Sequence, residues 1–73
     1  MKYAIVIEKA ATNYSAFVPD LPGCITTGLT IDEVKRNMRE AIELHLEGMR
    51  QDGEAIPLPS STVDYVEAEA AAV

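Results

Sequence analysis

One long amphipathic helix, predicted over residues 30–52, constrains the fold more than any other part of the sequence. It opens as a capping box, in which the Thr30 hydroxyl accepts from the N–H of Glu33 and the Glu33 carboxylate reaches back to Thr30. Gly53, which follows Asp52, is the expected stop. Apolar residues recur every three or four positions, at Ile31, Val34, Met38, Ala41, Ile42 and Met49. This stripe needs a flat apolar surface to cover, so the remaining residues have to form a sheet.

Four segments have strand-like sequences, and they span residues 2–9, 14–18, 24–28 and 62–67. The first two are joined by the short turn 10–13, where Asn13 tolerates a left-handed conformation, so they pair antiparallel. The order β-β-β-α-β predicts an α+β fold. A right-handed crossover places the fourth strand parallel to a central first strand, with a sheet order of 3-2-1-4. Residues 1–67 then form one domain, and residues 68–73 form an acidic, alanine-rich tail.

A single helix covers only one face of such a sheet. Alternate residues of every strand point to the other face, which has no cover within this chain. Exposed apolar patches of more than a few hundred Å² mark interfaces. We therefore expect a homo-oligomer, either a dimer or a tetramer.

Charge and composition narrow the classes of function. Twelve acidic residues against six basic ones give a net charge of −6, which argues against direct nucleic-acid binding and is compatible with a basic protein partner. No apolar run approaches the ~20 residues of a membrane span, and we expect no signal peptide. One cysteine, Cys24, fits a reducing cytoplasm, and one histidine, His45, is too few for an unshared zinc site of the usual kind. We expect a cytoplasmic protein without metal or cofactor.

Three side chains are weighed as candidate site residues. Asp20 lies between Pro19 and a Leu-Pro-Gly turn, where it either accepts from its own backbone or serves as a binding carboxylate. His45 falls on the apolar stripe of the helix, which suits an interior or interface histidine better than a catalytic one, because no nucleophile is suitably spaced. Cys24 is either a small buried hydrophobe or a reactive thiol. The candidate partner-binding residues are Asp20, Leu21, Pro22, Gly23, Cys24 and His45.

Several pieces of the sequence closely resemble the HicB antitoxin family. They are Y-A-I-V-I-E-K, F-V-P-D-L-P-G-C, T-G-L-T-I-D-E-V and E-A-I-E-L-H-L, and the likeness runs over residues 1–61. The resemblance implies a truncated RNase H-like domain that binds and masks a small, basic HicA-type mRNA interferase with a double-stranded-RNA-binding-like fold. It also identifies residues 19–24 as the family's signature segment.

The resemblance leaves three expectations about activity. Many family members continue into a ribbon-helix-helix or helix-turn-helix segment that binds the operator. The last residues here, E-A-E-A-A-A-V, are too short and too acidic for either, so we expect no tight DNA binding by this chain. A two-metal nuclease needs several converging carboxylates, and Asp64 stands alone on the last predicted strand, so we expect no catalysis. The alternative to an antitoxin is an orphan oligomeric module that binds a small ligand or another protein beside Asp20.

Overall fold

A computed structural model describes residues 1–71 of the protein. Three strands form an antiparallel meander in the order β1-β2-β3, and one helix follows them. The elements are β1 (Val6–Lys9), β2 (Tyr14–Phe17), β3 (Ile25–Gly28) and α1 (Ile31–Gln51). The α+β class, the meander and the single long helix are therefore confirmed.

The register of the sheet separates a covered face from an open one. Val6 pairs with Phe17, and Phe17 pairs with Ile25, so these three side chains share one face. Phe17 is 38% exposed and Ile25 is 70% exposed. Ala16, on the opposite face, is 2% exposed, because α1 packs on that side. The single chain therefore has the predicted uncovered sheet face, which carries Val6, Phe17 and Ile25.

The hydrophobic core lies between α1 and the covered face. Its fully buried side chains are Ala16, Val18, Leu21, Cys24, Val34 and Met38. Partly buried residues from the start of the chain and from the helix pack around them, including Tyr3, Ile5, Ile7, Ala41, Ile42, Leu46 and Met49. The alternation of Tyr3, Ile5 and Ile7 toward the core agrees with the sequence pattern.

The first turn of α1 lies directly against the end of β3. A Cβ atom on Gly28 would come 2.7 Å from the backbone nitrogen of Val34. Real Cβ atoms do not approach backbone so closely, so only glycine fits this crossing. Asn37 adds a hydrogen bond, donated from Nδ2 to the Thr27 carbonyl oxygen at 2.9 Å. The helix is therefore fixed on the sheet at its N-terminal end.

The start of α1 differs in one detail from the predicted capping box. Thr30 Oγ1 accepts from the Glu33 N–H at 3.0 Å, as predicted. The Glu33 carboxylate, however, accepts from the N–H of Leu29 at 3.2 Å and not from Thr30. Two N–H groups are still satisfied, but the second one belongs to the residue before the cap.

The helix ends at Gln51, and Gly53 closes it in a Schellman motif, as the sequence predicts. Gly53 has a φ of 72°, and the Glu54 N–H donates to the Met49 carbonyl oxygen at 2.9 Å. Among residues 1–71 only glycines have positive φ, so Asn13 does not use the left-handed conformation that we considered for the first turn.

The predicted fourth strand is wrong for this structure. After α1 the described residues contain no strand, and in residues 62–67 the side chains of Tyr65 and Val66 are 90% and 91% exposed. As a consequence β1 is an edge strand and not a central one, and the order 3-2-1-4 is not formed. Strand propensity reflects packing against neighbours more than an intrinsic backbone preference, and among the described residues this segment pairs with no strand.

The first strand is also shorter than predicted. Pairing begins at Val6, opposite Phe17, because the chain beyond β2 turns away at Pro19 and offers no strand to residues 2–5. The boundary at residue 67 stays a prediction. Residues 68–71 of the predicted tail are exposed and irregular, and residues 72–73 lie outside the described part.

Candidate partner-binding site

The loop after β2 is closed by its own backbone. The Leu21 N–H donates to the Val18 carbonyl at 3.1 Å, and the Cys24 N–H donates to the Leu21 carbonyl at 3.1 Å. The Val18 N–H donates to the Cys24 carbonyl at 3.2 Å, which links the two ends of the loop. Gly23 has a φ of 85°, a conformation that favours glycine. The sequence of this segment therefore specifies a compact double turn.

This loop divides the predicted binding residues into two groups. Leu21 and Cys24 point inward and are 1% and 4% exposed. Burial raises the pKa of the Cys24 thiol, which favours the interpretation of this residue as a small hydrophobe. Pro22 and Gly23 are exposed. The two buried residues hold the loop in place, and the two exposed ones face solvent.

Asp20 binds the segment that follows the helix. Its Oδ2 accepts from the backbone N–H groups of Ser60 at 2.9 Å and Ser61 at 3.0 Å. Its Oδ1 accepts from the hydroxyls of Ser60 at 3.1 Å and Ser61 at 2.7 Å. These bonds, above all those from the Ser61 and Ser60 backbone, lower the pKa of Asp20 to about 2. We call these three residues the Asp20 clamp.

The clamp corrects one of the two roles considered for Asp20. The carboxylate does not cap its own turn, because its four bonds go to Ser60 and Ser61, forty and forty-one positions further along the chain. Its role as a binding carboxylate stays a prediction. Tyr3 adds a second attachment, with its hydroxyl donating to the Pro57 carbonyl at 2.5 Å. Residues 54–61 are thereby held against the body of the domain. The sequence did not predict a role for Ser60 and Ser61, because a Ser-Ser pair after prolines does not indicate that it binds Asp20.

A cleft of about 520 Å³ separates this loop from the second half of α1. We call it the loop–helix cleft. It is lined by Leu21, Pro22, Leu44, His45, Gly48, Met49, Asp52, Glu54 and Pro57. It brings together three of the six predicted binding residues, which are Leu21, Pro22 and His45. Asp20 is engaged in the clamp, and Cys24 is in the core.

The mouth of the cleft is acidic. Asp52 and Glu54 lie at the C-terminal end of α1, where the helix dipole already contributes partial negative charge. Arg50, the nearest basic residue in sequence, is paired with Glu47 at 2.5 Å. That pairing lowers the pKa of Glu47 and raises that of Arg50. With Leu44 75% exposed beside these acids, the cleft offers apolar contact next to negative charge.

Neither a group of metal-ligating side chains nor a membrane-spanning helix is found in the described part of the chain. Among residues 1–71 no three His, Cys, Asp or Glu side chains are grouped so that they could hold a metal ion. No helix in the same range combines the length and apolar character needed to cross a bilayer.

Comparison with known proteins gives a consistent result. Residues 3–72 match the model of a family described as the HicB_like antitoxin of bacterial toxin-antitoxin systems. A UPF0150 protein of Archaeoglobus fulgidus is 49% identical over 59 residues, covering 77% of this chain and 86% of its own. A 14.9 kDa protein from the rep-hol intergenic region of Haemophilus phage HP1 is 42% identical over 66 residues, which is 90% of this chain. The chain spans only 50% of that phage relative.

A solved structure has the same fold. A chain from the HicA3 and HicB3 toxin-antitoxin complex superposes with a TM-score of 0.71 at 30% sequence identity. The match covers 81% of this chain and 70% of that one.

Proposed function

Because this chain belongs to the HicB-like antitoxin family, we propose that it binds and masks a small, basic HicA-type toxin. The observation that carries the proposal is its likeness, over 81% of its length, to a chain of a toxin-antitoxin complex. Its net charge of −6 supports a basic partner, since opposite charges accelerate the encounter of two proteins. The protein would act by stoichiometric occupation of the toxin, an RNA-cleaving enzyme, and would itself catalyse no reaction.

We place the toxin at the loop–helix cleft. Pro22, Leu44 and His45 supply exposed or half-exposed contact surface there. Asp52 and Glu54 supply charge for lysine or arginine at the rim. The loop of residues 19–24 is closed by three backbone hydrogen bonds and two buried side chains, so we expect little conformational entropy to be lost when it is covered. Gly23 lies beside Pro22 on the exposed side of that loop, while Asp20, Leu21 and Cys24 hold the surface in shape.

We also propose that the protein is a cytoplasmic homo-oligomer, a dimer or a tetramer. The support is the open face of the sheet, where Phe17 and Ile25 remain exposed at 38% and 70%. Apolar side chains grouped on one face of a sheet favour burial against another chain.

The proposal is tested by co-expression with the small basic protein encoded beside it. That neighbour should inhibit growth on its own, and this protein should restore growth and co-purify with it in a fixed ratio. A harmless neighbour that fails to co-purify would contradict the antitoxin function and favour the orphan binding module.

Charge-matched variants locate the surface. The pair Asp52→Asn and Glu54→Gln removes two negative charges from the rim of the cleft. The control pair Asp32→Asn and Glu40→Gln removes two from exposed positions that do not line the cleft. At low salt the cleft pair should slow association with the toxin more than the control pair does, and added salt should reduce the difference. Equal effects would exclude the cleft but leave the masking function intact.

A further inference from the structure

A second apolar depression lies between α1 and the residues that lead into β1. We call it the β1–helix groove, and its volume is about 510 Å³. It exists because α1 packs on β3 and β2 and leaves the side of β1 open. Its walls are apolar, formed by Met1, Tyr3, Ile5, Met38, Ile42 and Leu46, and Lys35, Arg39 and Glu43 also line it.

β1 continues directly from Ile5, which lines this groove, and the outer edge of β1 is unpaired in the described residues. In the part of the chain that the structure describes, β1 pairs with β2 alone. Such an edge presents a row of free N–H and C=O groups, which is a template for an added strand. The groove and the edge together form a surface that an extended, partly apolar segment would complete.

Residues 62–67, which we call the exposed segment, have the composition of such a strand. They alternate so that Val63, Tyr65 and Glu67 share one side. Val63 is 49% exposed and Tyr65 is 90% exposed. The hydrogen bond found in the segment is local, from the Tyr65 N–H to Asp64 Oδ1 at 2.7 Å. Strand-forming residues are therefore presented to solvent.

The overall shape of the molecule agrees with a segment that projects from the domain. The radius of gyration is 14.9 Å, whereas a compact chain of this length has about 11 Å. The long axis is 53 Å, although a helix of 21 residues accounts for only ~32 Å. Residues 62–71 can span up to ~33 Å beyond the Asp20 clamp, which is enough to reach a neighbouring molecule.

The charges of the exposed segment and of the β1–helix groove are complementary. Continuing the alternation places Glu67 and Glu69 on the same side as Val63 and Tyr65. The groove has an apolar floor, with Lys35 and Arg39 lining it and Glu43 as its acidic residue. An apolar pair followed by two acids therefore matches an apolar groove with two basic residues.

We propose that the exposed segment of one copy adds as a strand to the outer edge of β1 in a second copy, covering the β1–helix groove there. Reciprocal exchange would give a closed twofold dimer, with the Asp20 clamp of each copy fixing the point where its segment departs. The proposal rests on the self-association proposed above and assigns the contact to the β1 edge, a surface distinct from the open sheet face. The segment becomes the missing fourth strand, supplied by the partner.

The first test is the mass of the full chain in solution by light scattering. The full chain should have the mass of two chains, and Tyr65→Pro should reduce it to one, because proline removes a strand N–H and restricts the backbone. Ala71→Pro places the same change outside the segment and should leave the dimer intact. Since Tyr65 is exposed, the variant cannot act by unfolding the domain, and a Tyr65→Pro dimer would refute the proposal.

The second test reverses charge. Lys35→Glu with Arg39→Glu should weaken the dimer about tenfold. Adding Glu67→Lys and Glu69→Lys should restore it. Weakening without rescue would mean that these groups do not meet, which contradicts the proposed pairing.

The third test separates exchange from closure within one chain. A mixture of 13C-labelled and unlabelled chains should show isotope-filtered contacts between the Tyr65 ring and the methyl groups of Ile42 and Leu46. Contacts within one chain only would mean that the segment returns to its own sheet. A dimer without such contacts would move the interface to the open sheet face, leaving self-association in place. If only an added basic partner contacted the groove, and Tyr65 did not, the groove would be the binding surface for that partner. Each of these three outcomes overturns strand exchange.

Discussion

The junction between α1 and β3 and the segment beyond the Asp20 clamp are held by opposite means. At the junction a glycine touches helix backbone, and Val34 and Met38 are 0% and 1% exposed. Beyond the clamp, Tyr65 is 90% exposed, although the sequence of residues 62–67 is as strand-like as that of β2. Regular structure thus formed where packing supplied an apolar surface, and a segment of comparable strand propensity without such a surface has no regular structure.

The largest effect is expected in the core beneath the helix. Met38→Ala should lower the free energy of unfolding by about 2–5 kcal/mol, because it leaves a cavity that the packed surroundings fill only in part. Leu44→Ala, on the same helix but 75% exposed in the native chain, should change it by less than about 0.5 kcal/mol. Urea unfolding followed by helical circular dichroism, at one fixed protein concentration, measures both. Similar losses for both variants would contradict the burial described.

The next largest effect is expected at the crossing of β3 and α1. Gly28→Ala should destabilise by about 1–3 kcal/mol, because the new Cβ would meet the backbone of Val34 at 2.7 Å. Gly48→Ala is the matched control, since its Cβ would meet nothing within 4 Å and alanine favours the helix by up to ~1 kcal/mol. The two variants should therefore shift the unfolding midpoint in opposite directions. A stabilising Gly28→Ala would mean that the helix is not seated so closely.

The same contrast explains how much of the fold the sequence predicts. Thr30 and Gly53 identified the helix ends correctly because caps act over three to six residues, within reach of a local pattern. The meander followed from short connections. The prediction of a fourth strand was wrong because the sequence of residues 62–67 favours a strand but does not indicate which strand it would pair with.

The candidate site was less predictable, because its geometry joins distant positions. Pro22 and His45 were singled out separately, and only the folded chain places both on one cleft. The partners of Asp20 lie forty positions away and leave no periodic signal. Gly28 could not be distinguished from an ordinary turn glycine until the helix was seen against it.

The smallest effect is expected at the clamp, where release should be local. Asp20→Asn should speed amide exchange at Ser60 and Ser61 and leave the helical signal unchanged, because the clamp holds the linker and not the core. Protonation should act similarly. The folded pKa of about 2 is below the usual 3.8, so the stabilisation is present above pH 3.8 and is lost as the pH falls toward about 2.

This pH dependence can be followed residue by residue. The amide signals of Ser60 and Ser61 should titrate together with a midpoint near the pKa of about 2, and in Asp20→Asn they should lose that transition. A midpoint at the usual 3.8 would mean that the carboxylate is not clamped in solution. Loss of helical signal over the same transition would show that the clamp supports the whole domain, which would remove the distinction between the junction and the segment after it.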